Sequence, residues 1–523
     1  MLKVTVQAIF SRAAVLEIET NTPYYADFEY EVYVNHTLYM TGNKNVFSLY
    51  RLQPDTVYFI RVSAKDGTQA GECHFKTKTE SAFLDVTRFH AANDGKTECT
   101  ACLQAAISAC PAGGTVYFPK GRYLTYPLFL TSNVTIYLEK GAVLLGASER
   151  AKYPVLPGMI IGDDDREINF GTWEGNPIDC FASLITGIGI QNTAVIGEGV
   201  IDANAQASDW WENRFVRRIA WRPRTVFFNR CENVSLVGVT VQNSPSWTVH
   251  PYYCKGVDVL DLLIQNPPDV PNTDGFDPES CENVRLLGVK ISVGDDCIAI
   301  KSGKYYMGSV HHQPCRNLQI RNCLLERGHG AVVVGSEISS GVYGLWVEKC
   351  LMHNTDRGLR LKTRRGRGDC SLLTDLHFRN VHMDGVKTPF VINMFYFCDP
   401  DGHSEHVRSK EKLPVDKMTP AVGSLECENI VCKNCEVAGG FFYGLPERPI
   451  ERISMKDFSI SFAEDAQPGQ AAMMDDFDDV SHLGMLARNV RCLTLENVTI
   501  QGWRGEPIQC EGVEHFEQKN VTV

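Results

Sequence analysis

The sequence predicts an all-β chain, a small β-sandwich followed by a parallel β-helix, and three observations predict it. Short alternating apolar strands recur along the chain with a single helical pattern among them. A loose repeat precedes one strand after another: Cys231-Glu232-Asn233-Val234, Cys254-Lys255-Gly256-Val257, Cys281-Glu282-Asn283-Val284, Cys315-Arg316-Asn317-Leu318 and Cys427-Glu428-Asn429-Ile430, with Arg488-Asn489-Val490 and Lys519-Asn520-Val521 as later copies. Periods of about 20–50 residues mark stacked units that bury their apolar edges on their neighbours, and the lack of helices between strands excludes a βαβ barrel. Finally, four polar motifs follow in order: Asn272-Thr273-Asp274, Gly294-Asp295-Asp296, Gly328-His329-Gly330 and Arg360-Leu361-Lys362, with 21, 33 and 31 residues from Asp274 to Asp295, Asp296 to His329 and His329 to Arg360. If each interval is one turn of a solenoid, the motifs stack about 4.7–4.9 Å apart along one face.

Residues 1–80 form the sandwich. The run Leu52-Gln53-Pro54-Asp55-Thr56-Val57-Tyr58-Phe59-Ile60-Arg61-Val62 places Leu52, Tyr58, Ile60 and Val62 on one face, with Pro54 before the strand. It resembles the tyrosine-corner strand of a fibronectin type III module, and a packing or spacer role is expected of the domain. The polar segment Thr77-Lys78-Thr79-Glu80-Ser81 is the linker. Residues 84–523 form the β-helix. Cys99, Leu103, Ala106, Ile107 and Cys110 recur at helical spacing over 97–110 until Pro111 and Gly113-Gly114 stop them, giving one amphipathic helix suited to closing an open solenoid end. Strands are then expected at 115–118, 134–138, 142–145, 193–197, 226–228 and 234–241.

Composition narrows the function. With 523 residues, 44% hydrophobic and 22% charged, the chain has enough material for a large core and more than one domain. A net charge of −12 argues against a nucleic-acid partner, whose phosphates demand a cationic field. No apolar run approaches the ~20 residues of a membrane span. Met1-Leu2-Lys3-Val4-Thr5-Val6 begins as an alternating strand without a signal-peptide pattern, and nineteen cysteines, an odd number, recur before apolar residues. Reduced thiols and a cytoplasmic location are therefore expected.

The string Asn272-Thr273-Asp274-Gly275-Phe276-Asp277, then Gly294-Asp295-Asp296-Cys297-Ile298-Ala299-Ile300-Lys301-Ser302-Gly303, then Gly328-His329-Gly330 and Arg360-Leu361-Lys362 resembles the full signature of the polygalacturonase family, glycoside hydrolase family 28. The resemblance covers about residues 84–523. It implies a right-handed, pectin-lyase-like parallel β-helix that hydrolyses α-1,4 galacturonosyl links with inversion, and a pectin-derived galacturonide as the partner. The amino-terminal fibronectin-like segment is similar to that of bacterial exo-polygalacturonases.

The residues make chemical sense of it. Inverting hydrolysis needs one protonated carboxyl for the leaving oxygen and carboxylates that deprotonate a water on the opposite face. Adjacent carboxyls repel when both are ionised, so one of Asp295 and Asp296 is expected to hold its proton longer. The resemblance makes Asp295 the acid and gives Asp274 and Asp296 the water. Asp296 shares strand parity with the inward Ile298 and Ile300, so both acids reach the groove only if Gly294-Asp295-Asp296 is a bend, which Gly294 permits. His329, unshielded between two glycines, is expected to tune or orient Asp295. Arg360 and Lys362 have the same parity, and a planar uronate carboxylate suits a guanidinium fork with an ammonium beside it. Asn272 completes the expected substrate contacts, together with Tyr396, 36 residues after Arg360 and carried over from the family's tyrosine at that rung. Arg364, Arg365 and Arg367 are expected to add local positive field, and Trp247, close to His250, is the preferred stacking platform among Trp173, Trp210, Trp211 and Trp247.

The runs Asp163-Asp164-Asp165 and Asp475-Asp476-Phe477-Asp478-Asp479 lack the spacing of a calcium cage, and the chemistry requires no metal or cofactor. Insertions at about 147–179 and 401–418 point to exo action on short galacturonides. Two other readings stay open: a hydrolase of a rhamnogalacturonan or xylogalacturonan backbone, and a non-catalytic β-helix that binds acidic glycans.

Overall fold

The computed structural model describes residues 2–523. In the sandwich, the antiparallel strands Val4–Ile9, Ala13–Ile18 and Val46–Tyr50 face a second sheet in the order Thr37–Lys44, Tyr25–Val34, Val57–Ala64, Ala70–Lys76. Leu52, Tyr58, Ile60 and Val62 lie in its core. The Tyr58 hydroxyl accepts a hydrogen bond from the Gln53 N–H at 2.7 Å, which pins the turn that feeds this strand.

The first coil of the second domain opens with Phe83–Asp85, paired in parallel with Thr115–Phe118. The helix Thr100–Ala109 lays Leu103, Ala106 and Ile107 on the amino-terminal end of the long core. From there parallel strands stack coil on coil to Ile508–Thr522, as the fold class expected from the sequence requires. Val257, Val284 and Leu318 are register partners on three successive coils, so identical apolar positions pile up and exclude water along the whole solenoid.

The Cys-x-Asn repeat has a conformational cause. Asn233, Asn283, Asn317, Asn429, Asn489 and Asn520 all have φ between 52° and 57°, and Gly256 at the same position has φ 72°. Each coil must turn through the left-handed region there, which asparagine and glycine tolerate best. The asparagines also bond one another between coils, as Asn317 Nδ2 does to Asn283 Oδ1 at 2.6 Å. The preceding cysteines stack inside: the Cys254 N–H reaches Cys281 Sγ at 3.4 Å and the Cys281 N–H reaches Cys315 Sγ at 3.3 Å. All nineteen thiols are free.

The strand expected at 234–241 is two strands, Glu232–Val237 and Thr240–Gln242. Gly238 turns the corner between them with φ 73°, and a Cβ there would lie 2.7 Å from the Gly197 carbonyl oxygen. This row of corners seats the sandwich. Phe10, Val15, Val46 and Tyr50 pack on Tyr137, Ile196, Val237, Leu260 and Leu287. Lys44 pairs with Asp261, and Glu17 bonds Arg321 and Asn322 at 2.7 and 2.8 Å. In the coil that carries the paired aspartates, the short strand Lys290–Val293 separates the sandwich corner at Gly288 from the acidic bend at Asp295.

Asn283→Ala is expected to cost about 1–2 kcal/mol of stability through the left-handed strain and the lost ladder bond, whereas Asn283→Gly costs less. Thermal melting of the two variants checks this, and equal losses would contradict the conformational cause.

Candidate active site

The four motifs lie on successive coils. Phe276 bridges Ile298, Ile298 pairs with Val332, Val332 with Leu359 and Leu359 with Phe390, so the residues just before and after these inward positions share one wall. The chain bends at Gly294 and Asp295, between Lys290–Val293 and Ile298–Ile300, and both aspartates reach that wall. Glycine is needed there for space more than for φ: a Cβ on Gly294 would meet the Val270 carbonyl oxygen at 2.5 Å. Likewise Gly328, at φ 77°, lies against the Asp295 carbonyl, and a Cβ on Gly330 would stand 3.2 Å from Asp296 Oδ1. The glycines beside His329 admit the neighbouring rung; they do more than bare the imidazole.

Oxygens of Asp274, Asp295 and Asp296 lie within 4.8 Å of one another. Three carboxylates this close offer a site to a hard cation, yet side-chain cations already hold them. Lys362 Nζ donates to Asp296 Oδ2 at 2.8 Å and Arg360 stands 3.7 Å from the other oxygen. Lys301 Nζ lies 3.8 Å from Asp274, 3.7 Å from Asp277 and 3.3 Å from Glu337. His329 Nδ1 is 3.2 Å from Asp295 Oδ1, and the Asn272 backbone N–H donates to Asp295 Oδ2 at 3.0 Å. Asp295 and His329 are the exposed members, with side chains 22% and 54% accessible against 2% for Asp296.

These surroundings push the acids apart, in the opposite sense to the sequence expectation for Asp295. Burial first, then the Asp295 charge, raises Asp274 to about 8. For Asp295, burial opposes ionisation, but the His329 hydrogen bond and charge, with Lys362 and the Asn272 N–H, outweigh it and lower the carboxyl to about 2. His329 is raised in turn by its bond to Asp295. Burial and the neighbouring Asp274 push Asp277, with both oxygens unpartnered, far above the carboxylate range. Burial works against the Lys301 charge, but Glu337, Asp274 and Asp277 keep it firmly protonated. Of Asp274 and Asp295, it is therefore Asp274 that holds a proton near neutral pH.

Other expectations need correction. Arg360 and Lys362 are not free cations: they are buried on Asp296, and Met473 Sδ lies 2.8 Å from Arg360 Nη2. Tyr396 sits beneath both, its ring centroid 5.6 Å from the Arg360 guanidinium carbon and 5.5 Å from Lys362 Nζ. Asn272 meets Asp295 through its backbone, while its side-chain oxygen accepts from Arg222 at 3.0 Å. Arg364, Arg365 and Arg367 are buried on Asp399 and Asp401, on Glu447 and on Ser336, and so add no open field. Trp247 is buried against His250 with Lys301 Nζ 4.3 Å from its ring centroid, and Trp210 belongs to a core cluster; neither is a free platform. The second acidic run is a clasp, with Asp475 on His403 at 2.9 Å and Asp476 on Arg408 at 2.6 Å.

Lys301, Asp277 and Glu337 escaped the sequence reading. Lys301 and Asp277 stand inside the quoted motif string, and Lys301 pairs in register with Glu279, a signal available only once the coils are aligned.

Comparison with known proteins follows the same line. The model of "Glycosyl hydrolases family 28" matches residues 165–439, and that of "Rhamnogalacturonase A/epimerase, pectate lyase-like" matches 83–158. A probable polygalacturonase of Vitis vinifera is 29% identical over 387 residues, 72% of this chain and 74% of that protein. An endo-polygalacturonase of Pectobacterium parmentieri is 29% identical over 310 residues, 57% of this chain and 72% of that protein. The solved family 28 exopolygalacturonase of Yersinia enterocolitica shares the fold over 100% of this chain and 98% of its own, with a TM-score of 0.70 at 20% identity. With the family model spanning just over half of its length, the chain belongs to glycosyl hydrolases family 28 and is a glycoside hydrolase.

Proposed function

We propose that the protein hydrolyses α-1,4 links between galacturonate units, acting from a chain end with inversion, in a reducing compartment such as the cytoplasm. One observation carries the substrate: Arg360 and Lys362 stand in the same wall as the acid triad, within reach of the Asp296 carboxylate. A uronate bound there brings a carboxylate to cations that already hold one, at the point where the glycosidic oxygen meets Asp295.

Position favours Asp295 as the group that hands the proton over, since it is the triad member open to the cleft, with His329 able to resupply it. Asp296, ion-paired to Lys362, is placed to take the water's proton. A second reading, in which Asp274 is itself the donor, is favoured by its raised pKa. The spacing within 4.8 Å is tighter than the ~6.5–9.5 Å usual between inverting carboxyl groups. Inversion thus rests on the family resemblance. The buried thiol ladder supports the reducing compartment, and the three-plus-four-stranded sandwich supports the fibronectin type III-like reading.

Support for exo action comes from the insertions. The strap at 463–482 lies across the cationic rungs: Asn393 Nδ2 donates to the Met473 carbonyl at 2.9 Å and Arg357 Nη2 to that of Gln470 at 2.6 Å. The hairpin Met159–Ile161 and Glu167–Asn169 is tied by Glu167 to Tyr306 and to His311 at 2.8 Å. Lys304, bonded by its backbone to Gly175, reaches Asp399 at 3.1 Å, so insertions from both ends meet over one side of the cleft.

Asp295→Asn is expected to lower kcat by about 10²–10⁴-fold on trigalacturonate without loss of fold; full turnover by the variant would take the donor role away from Asp295. With the triad proton on Asp274, kcat/KM falls as pH rises through about 8, because that proton is then lost. Residual activity of Asp274→Asn should lack this alkaline limb, and a limb that persists places the proton elsewhere. On polygalacturonate, viscosity should fall slowly while the smallest product accumulates from the start as its β-anomer by ¹H NMR. A ladder of intermediate sizes contradicts exo action, an initial α-anomer contradicts inversion, and faster cleavage of rhamnogalacturonan or xylogalacturonan contradicts the backbone.

A further inference from the structure

Two segments in the coils before Asp274 expose apolar side chains that the fold leaves uncovered. The loop 203–225 joins Val200–Asp202 to Val226–Asn229, and the insertion 147–184 joins Ala142–Gly146 to Ile185–Ile188. Their flanking strands pair in register, Val143 with Val200 and Ile185 with Val226, so both segments leave the solenoid from neighbouring coils at one corner. The acidic bend lies further along that same corner. At the tip of the loop, Phe215, Val216 and Ile219 are exposed, Phe215 by 78%. Ile219 holds φ 68°, a left-handed backbone that a β-branched residue rarely adopts, and keeps its side chain in solvent. In the hairpin Met159–Ile161 and Glu167–Asn169, Met159, Ile160 and Ile161 are exposed as well. Single apolar residues are ordinary at a surface, whereas three within five residues or fewer, twice at one corner, form patches.

The two patches carry opposite charge. Arg214 holds its guanidinium carbon 4.7 Å from the Phe215 ring centroid, and Arg217 follows Val216; both arginines are exposed, and neither pairs with an acid among the described residues. Arg218 is paired with Asp209 at 3.0 Å and fastens the base of the loop. The hairpin turns through Asp163-Asp164-Asp165, all exposed. Asp164 pairs with Arg166, while Asp163 and Asp165 meet no cation among the described residues. Glu167 ties the hairpin to Tyr306 and His311, which holds the tip in place. An anionic lipid surface would attract the loop and repel the hairpin beside it. A second copy of the chain offers a partner of the right sign to both.

We propose that the loop 212–219 and the hairpin 159–169 form a self-complementary docking surface for a second copy of this chain, the basic loop of each copy seated on the acidic hairpin of the other about a two-fold axis. The inference is independent of the galacturonide reading. A two-fold pairing uses each patch once per copy, so association stops at the dimer. Two small patches make a contact of modest area, which corresponds to a dimer that forms in the micromolar range.

Sedimentation velocity on the full chain at about 1–100 µM should show the mass rise from one copy toward two. Phe215→Asp and Ile161→Asp should each weaken association about tenfold or more, with melting curves unchanged because both side chains are exposed. Charge reversal separates this pairing from non-specific contact. A chain with Arg214→Asp and Arg217→Asp has two acidic patches, and a chain with Asp163→Arg and Asp165→Arg has two basic ones. Each alone should stay a single copy, and an equimolar mixture should restore the dimer. Wild type that remains one copy throughout overturns the proposal. So does a dimer that Phe215→Asp and Ile161→Asp both leave intact, or a mixture of folded charge-reversed chains that fails to pair. Mass growing past two copies overturns the two-fold arrangement. A single copy that floats with phosphatidylserine vesicles assigns the loop to a lipid surface and overturns the proposal as well.

Discussion

Three carboxylates on neighbouring rungs of a parallel β-helix are tolerable only because cations share their wall. Two like charges about 5 Å apart at an effective dielectric of about 20 repel by roughly 3 kcal/mol, and the triad contains three such pairs. Each acid answers with a different partner: Asp295 with the exposed His329, Asp296 with Lys362, Asp274 with Lys301 in the interior. The same residue type thereby acquires opposite proton affinities at Asp274 and Asp295. That division of labour, with one carboxyl holding a proton while another stays ionised, is what acid–base hydrolysis requires of a cluster of aspartates.

The solenoid supplies this arrangement cheaply because register is inherited from coil to coil. Once the Asn-Val positions stack, every residue at a fixed offset from them stacks as well, so Glu279 meets Lys301 and Lys362 meets Asn393 without any dedicated loop. The sandwich grips the corner on the other side of the short strand Lys290–Val293, leaving the acidic bend free. Specificity has to come from what interrupts the repeat: the hairpin near 160, the insertion after 399 and the strap near 473.

Much of this was legible in the sequence, and the physical reasons differ by element. The strands, the helix Thr100–Ala109 and the order of the four motifs follow from local periodicity, whereas the short helices Tyr305–Val310 and Glu405–Arg408 do not; periodicity survives folding when neighbours are copies of one another. The asparagines of the repeat were visible as a pattern, while their left-handed φ was not. Gly238 hid a corner inside an apolar run because a turn of the coil leaves hydrophobicity unchanged. Charge was harder still. Arg364, Arg365 and Arg367 read as an open cationic patch, yet Asp399, Asp401 and Glu447 pair with all three from 32 to 82 residues away, a pairing no local window contains. The expected rise at Asp295 or Asp296 was misplaced for the same reason: adjacency of Asp295 and Asp296 suggested where repulsion would act, but burial raises Asp274 and the His329 contact lowers Asp295.

The two ends of the cleft are built by unlike means, and that asymmetry bears on how a chain is read. Beyond Asp296, the cations are compensated by Asp296 and covered by the Met473 strap, which His403 and Arg408 fasten through Asp475 and Asp476. Before Asp274, Arg222 and Arg224 stand among indoles and bond neutral acceptors. A compensated cation exchanges one carboxylate for another when a uronate arrives, at little net electrostatic change.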